Sequence, residues 1–265
     1  MKYFNLLMIL TCLSVVSCKT DPKEQTTDTL QSNAKELVTD TTSEEEKFSI
    51  HPIMHATMVL TYGTDVIYVD PTGGTEAFVA FAAPTIVLIT DIHGDHYEVE
   101  TLKALDLSST TVIAPKAVIE KFPADLKTKT TVTLNNGDSI NLNGHLIEAI
   151  PMYNLREEAL KFHSKGRGNG YVITIGGERL YISGDTEDIP EMRGLKNIDK
   201  AFVCMNLPYT MTVDKAVEAV LEFKPKTVYP YHYRGTEGFS DVAKFKTLIN
   251  QGDENIEVIQ LDWYN

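Results

Sequence analysis

From Phe48 onward the chain alternates short apolar, β-branched or aromatic runs with turn residues. Thr57–Tyr62 and Val66–Val69 lie on either side of Gly63 and read as a β-hairpin. Thr85–Thr90 (TIVLIT) is an almost continuous apolar run, the pattern of a strand buried on both faces. Val99–Leu105 has helical spacing, Thr110–Ala114 reads as a strand, and Ala117–Phe122 as a short helix closed by Pro123. Thr130–Leu134 and Ser139–Leu142 flank Asn135-Asn136-Gly137-Asp138, which predicts a second hairpin. Strands follow at His145–Met152, Tyr171–Ile175 and Leu180–Ile182, the last two joined across Gly176-Gly177. The C-terminal part is more regular: strand Ala201–Met205, amphipathic helix Val213–Phe223, strand Thr227–Tyr231, helix Asp241–Ile249 and strand Ile256–Leu261. Many early strands, with helices interspersed and no strict βαβ rhythm, suit two sheets packed face to face with helices outside. The predicted class is therefore α/β, a four-layer αββα sandwich.

The N-terminal residues follow another pattern. Met1-Lys2 is a short positive start, and Leu6–Val16 is apolar. That run is too short to span a bilayer, which takes about 20 residues, but it suits the core of a signal peptide. It leads into Val15-Val16-Ser17-Cys18, which resembles the lipobox of bacterial lipoproteins. The resemblance implies cleavage after residue 17, a lipid on Cys18 and an address in the bacterial cell envelope, anchored to a membrane. Residues 19–47 are rich in Thr, Asp, Glu, Gln and Ser and almost lack large apolar side chains. Such a segment cannot bury enough surface to offset its ordering entropy. The expected organisation is a signal peptide at 1–17, a polar tether at 18–47 and one domain at 48–265.

Composition narrows the function. Of 265 residues, 43% are hydrophobic and 23% charged, which excludes wholesale disorder. With 24 Lys+Arg against 37 Asp+Glu the net charge is −13, and no long basic arm is present, which argues against nucleic acid as a partner. Cys12, Cys18 and Cys204 cannot build a disulfide framework, and Cys204 sits in an apolar run as a core residue.

The chemistry concentrates at strand ends. Asp91-Ile92-His93-Gly94-Asp95-His96 leaves strand Thr85–Thr90 and offers four metal-ligand side chains within six residues. Gly184-Asp185-Thr186 follows strand Leu180–Ile182, His232 follows Thr227–Tyr231, and His163 opens a glycine-rich loop. Together these residues resemble the metallo-β-lactamase superfamily. His55-Ala56-Thr57 and Val69-Asp70-Pro71 are similar to the start of that fold, especially in the branch with ascorbate-phosphate lactonase.

The resemblance implies an αββα sandwich with one or two Zn2+ ions at one edge, where a metal-bound hydroxide cleaves a small ester, lactone or phosphodiester. One metal site would be Asp91, His93 and His163; the other, Asp95, His96 and His232; Asp185 would bridge them. Asp95 would also orient the nucleophile or take its proton. The chain departs from the family pattern at Asp91, where histidine is usual; an oxygen ligand there tilts the preference toward Mn2+ or Fe2+. Arg167 in the glycine-rich loop and Arg234 beside His232 would suit an anionic small-molecule substrate, and Asn154 and Tyr209 are further candidates for the pocket wall. The alternative is a lipoprotein of the same fold that captures a metal or solute without turnover.

Overall fold

The computed structural model describes residues 48–264; the signal peptide, tether and Cys18 of the sequence reading lie outside them. The first sheet holds β1 (Ser49–Met54), β2 (Thr57–Tyr62), β3 (Asp65–Val69), β4 (Ile86–Leu88), β5 (Thr111–Ala114) and β6 (Thr130–Thr133), adjacent in chain order. β1 to β3 form an antiparallel meander, and β3 to β6 run parallel. The second sheet repeats this plan. β7 (Ser139–Leu142), β8 (His145–Met152), β9 (Gly168–Ile175) and β10 (Glu178–Ile182) are antiparallel. β10, β11 (Lys200–Val203), β12 (Thr227–Pro230) and, after the small hairpin β13–β14 (Arg234–Gly235 and Gly238–Phe239), β15 (Glu257–Val258) are parallel.

Alternation along the strands makes the layers. Met58, Leu60, Ile67, Val69, Ile86 and Leu88 of the first sheet share one core with Ile147, Ile173, Leu180 and Ile182 of the second. Their neighbours Val59, Tyr68, Val87 and Val112 point to the opposite face. There they pack with Leu102 of α1 (Val99–Ala104) and Val118 of α2 (Lys116–Ile119). The second sheet is covered by α3 (Pro190–Arg193), α4 (Val213–Phe223) and α5 (Val242–Gly252). Tyr181 meets Phe223 of α4 edge-on at 6.0 Å. The four-layer αββα sandwich read from the sequence is the observed fold.

Three local expectations change. Thr130–Leu134 and Ser139–Leu142 are not a hairpin: β6 closes one sheet and β7 opens the other. The Asn135–Asp138 turn, tied by the Asp138 carboxylate to the Asn135 amide at 2.8 Å, carries the chain between layers. A turn sequence fixes a reversal of direction, and the pairing partner is chosen by packing. β1 precedes the first strand read from the sequence; it is an edge strand, where Pro52 is tolerated. The glycine-rich stretch is only half a loop, since Gly168, Asn169 and Gly170 belong to β9. A Cβ on Gly170 would stand 2.8 Å from the carbonyl oxygens of Ile182 and Ser183, so glycine here permits close strand approach.

Candidate metal centre

The parallel strands β4, β10 and β12 all end at one edge of the sandwich, and the loops there carry the polar residues. The segment after β4 delivers Asp91, His93, Asp95 and His96; the β8–β9 loop delivers His163; the turns after β10 and β12 deliver Asp185 and His232. All seven come together. With His55 they form three groups whose ligand atoms lie within 4.8 Å of one another: Asp91, His93 and His163; His96, Asp185 and His232; and His55, Asp95 and His232, the last two sharing His232.

Asp185 stands between the groups. Its Oδ2 is 3.2 Å from Nε2 of His163 and 3.5 Å from Nε2 of His96, and its Oδ1 is 3.2 Å from Nε2 of His232. Asp95 Oδ2 is 3.4 Å from Nε2 of His232 and 3.3 Å from Nε2 of His55. On the other side, Asp91 Oδ2 is 2.9 Å from Nδ1 of His93 and 3.9 Å from Nε2 of His163.

Two of the imidazoles, His96 and His163, are aimed from behind. Asp70, fully buried, accepts from the Thr90 amide at 2.7 Å, the Thr90 hydroxyl at 2.6 Å and His96 Nδ1 at 2.8 Å. The proton on Nδ1 leaves a bare lone pair on Nε2, as metal-ligating histidines require. His163 is set the same way: its Nδ1 faces the Tyr209 carbonyl at 3.2 Å, and Asn154 ties this loop to Ala159 and Tyr209 through its side-chain amide.

A cation fits this set. His96 and His232 bring Nε2 atoms within 3.1 Å of each other, so a proton or a metal ion must sit between the two nitrogens. Nε2 of His163 and Oδ1 of Asp185 are buried and make no hydrogen bond. Ligands about 2.0–2.2 Å from a tetrahedral metal stand roughly 3.3–3.6 Å apart, close to the separations here. Burial pushes the His96 imidazole down, but Asp185, Asp70 and Asp95 together pull it well above the ordinary histidine range. Burial likewise pushes Asp95 and Asp185 up, and the surrounding histidines more than reverse this, holding both carboxyls far below the usual range. A field that attracts protons this strongly attracts divalent cations for the same reason.

The centre opens into a pocket of about 360 Å3 lined by His55, His93, Asp95, Phe162, His163, Asp185, Asn206 and Tyr209. Of the four residues read as substrate-binding, Tyr209 lines it. Asn154 is buried behind His163. Arg167 grips Asp91 through two hydrogen bonds, and Arg234 lies 5.2 Å over the Tyr264 ring. His55, Phe162 and Asn206 had not been read as lining residues. Asn206 follows the strand Ala201–Met205 of the sequence reading, so the strand-end rule that found Asp185 would have found it. Cys204 is fully buried, and burial pushes its thiol up to about 12, consistent with a core role.

Fold and centre together define a metallo-hydrolase of the αββα class. A family profile described as a β-lactamase superfamily domain matches residues 60–233, and the chain belongs to this superfamily of metal-dependent hydrolases. A crystal structure of a Parabacteroides distasonis protein assigned as a metal-dependent hydrolase is 38% identical, with a TM-score of 0.73 over 83% of this chain and 94% of that one. A UPF0173 metal-dependent hydrolase of Thermus thermophilus is 29% identical over 224 residues, 78% of this chain and 96% of the relative. Another from Pyrococcus abyssi is 27% identical over 197 residues, 71% and 86% of the two chains.

Proposed function

We propose that this hydrolase cleaves a small, uncharged carbonyl substrate, an ester or lactone, at a centre whose residues on either side of Asp185 would hold two divalent cations. The observation that carries the reading is the convergence of seven acid and histidine side chains, with Nε2 of His163 and Oδ1 of Asp185 buried without a hydrogen bond. Asp91, His93 and His163 would hold one ion, Asp95, His96 and His232 the other. Bound there, the ions would supply Lewis acidity, acidifying water and stabilising the negative charge that develops at the attacked carbonyl. Zn2+ suits the imidazole-rich set, and the extra carboxylate of Asp91 admits Mn2+ or Fe2+.

The chain's own groups do the rest. Asp95, with a side chain 40% exposed at the pocket, is placed to orient a water and take its proton. His55 backs Asp95 and is itself held by the Tyr264 hydroxyl at 2.8 Å. Phe162 and Tyr209 meet edge-to-face at 5.0 Å and offer a flat apolar wall. The sequence reading inferred an anionic substrate from cations near the site. No lysine or arginine lines the pocket among the described residues, and Lys165 and Arg167 are paired with Glu191 and Asp91. That supports a neutral carbonyl over a phosphodiester. The test is turnover of p-nitrophenyl acetate and γ-lactones against bis(p-nitrophenyl) phosphate by metal-loaded protein. Asp185→Asn should abolish turnover and lower the bound metal; faster phosphodiester cleavage would overturn the substrate assignment.

We also propose that Cys18 carries a lipid that holds the enzyme at the cell envelope, a reading supported by the Leu6–Cys18 sequence. Labelled palmitate should enter the full chain and not its Cys18→Ala variant, which should appear in the soluble fraction.

A further inference from the structure

We propose that Asp91 and Arg167 act as one unit, a charge-neutral oxygen ligand standing where the family pattern carries histidine, and that Arg167 is a positioning residue of the metal centre. The proposal rests on the metal-centre reading above. Nε of Arg167 donates to Oδ1 of Asp91 at 3.0 Å and its terminal nitrogen to Oδ2 at 2.7 Å. This planar fork fixes the carboxylate's rotation as well as its place. It uses one lone pair on each oxygen and leaves Oδ2 facing His93 and His163.

The backbone builds the pair in. The Asn169 amide donates to the Thr90 carbonyl at 2.9 Å, so the segment bearing Arg167 is stitched to the residue before Asp91. A Cβ on Gly168 would stand 2.9 Å from the same carbonyl, so the residue between Arg167 and Asn169 must be small for the strands to close. Asp91 is fully buried, whereas the Arg167 side chain is 18% exposed and does not line the pocket.

Charge gives the pair its purpose. With histidine at position 91 the centre would hold two carboxylates, Asp95 and Asp185; with aspartate it holds three. The guanidinium cancels the third, so two divalent cations meet the same total charge as in the histidine pattern. An unclamped Asp91 would instead be a third buried carboxylate beside Asp185, repelled by it and free to turn away. An arginine reaching for substrate would face the pocket; this one lies outside its lining and turns the fork of Nε and a terminal nitrogen to Asp91.

The experiment measures metal per chain by elemental analysis and native mass spectrometry, with Zn2+ and Mn2+ as probes and a chromophoric chelator as competitor. The wild type should bind both ions. Arg167→Leu should lose one of them, or hold it about ten- to hundredfold more weakly, the range typical of a lost outer partner. Asp91→His alone should also lose it, because an imidazole then faces an unpaired guanidinium. The double variant Asp91→His with Arg167→Leu should regain both ions, to within about threefold of wild-type affinity. Should Arg167→Leu misfold, the double variant still decides, since it removes the same side chain. Full metal content in Arg167→Leu with only a raised KM would overturn the proposal and make Arg167 a substrate anchor. A double variant no better than either single one would also overturn it. A wild type that takes up no metal would defeat the metal-centre reading itself.

Discussion

His55, Asp70 and His232 hold left-handed backbone, with φ of 59°, 45° and 46°, although none is glycine. Such a conformation costs about 1–2 kcal/mol for an L-residue, and all three stand in the cluster or directly behind it. The surrounding sheets hold each residue where its side chain can face the centre. Asp70 shows what this geometry achieves. Burial pushes its carboxyl up, against the opposing pull of His96 and Thr90, and its one arrangement fixes which nitrogen of His96 faces inward. Asp70→Asn should therefore keep the fold but weaken metal binding about ten- to hundredfold in chelator competition; unchanged affinity would reduce Asp70 to a packing role.

Elements explain why strand ends matter. β4 runs parallel to β3 and β5, β12 to β11 and β15, and β10 to β11, so their C-terminal ends gather at common edges and their following loops meet there. The helix expected at Val213–Phe223 is observed over those residues, because its apolar face repeats at helical spacing and Thr212 caps it. The hairpin expected across Asn135–Asp138 is absent, since nothing in eight neighbouring residues says that a strand's partner lies in another layer. β9 depends on Gly170. Gly170→Ala would drive a methyl group against two backbone carbonyls that cannot yield, and should cost about 1–3 kcal/mol. Urea denaturation should show a lower midpoint with an unchanged slope, and a midpoint equal to wild type would refute the close-approach argument.

At the scale of the whole molecule the site is a joint between sheets. The loop after β4 comes from the first sheet, whereas His163, Asp185 and His232 come from the second. Cations bound there tie both together, so removing metal with a chelator should lower the melting temperature and restoring it should raise it. Ligand at about a hundred times its Kd adds roughly 2.7 kcal/mol to folding stability. Elsewhere the sheets are latched by Asp65, which accepts from Thr85 of its own sheet and from Asn143 and His145 of the other, all at 2.8–2.9 Å. Burial pushes the Asp65 carboxyl up, but His145, Thr85 and Asn143 outweigh it and hold it below the ordinary value. A depressed carboxylate contributes stability that is whole above its unfolded value, about 3.9, and is lost as pH falls through the folded one. Asp65→Asn should thus cost about 1–2 kcal/mol at neutral pH and flatten the acid limb of the stability curve below about pH 4. An acid limb identical to wild type would exclude the latch.

The sequence by itself determined the layers, because alternating and helical hydrophobic periods are local. It also marked seven candidate ligand side chains, four by the density of acid and histidine after one buried strand and three by their place at other strand ends together with the family resemblance. Tertiary structure alone decided that Asp91 is shared with Arg167, that Asn154 stands behind His163, and that Phe162, Asn206 and His55 face the pocket. Those facts depend on which segments, far apart along the chain, stop within a few ångströms of each other. Such distances are set by how two sheets dock, and no single stretch of residues records them.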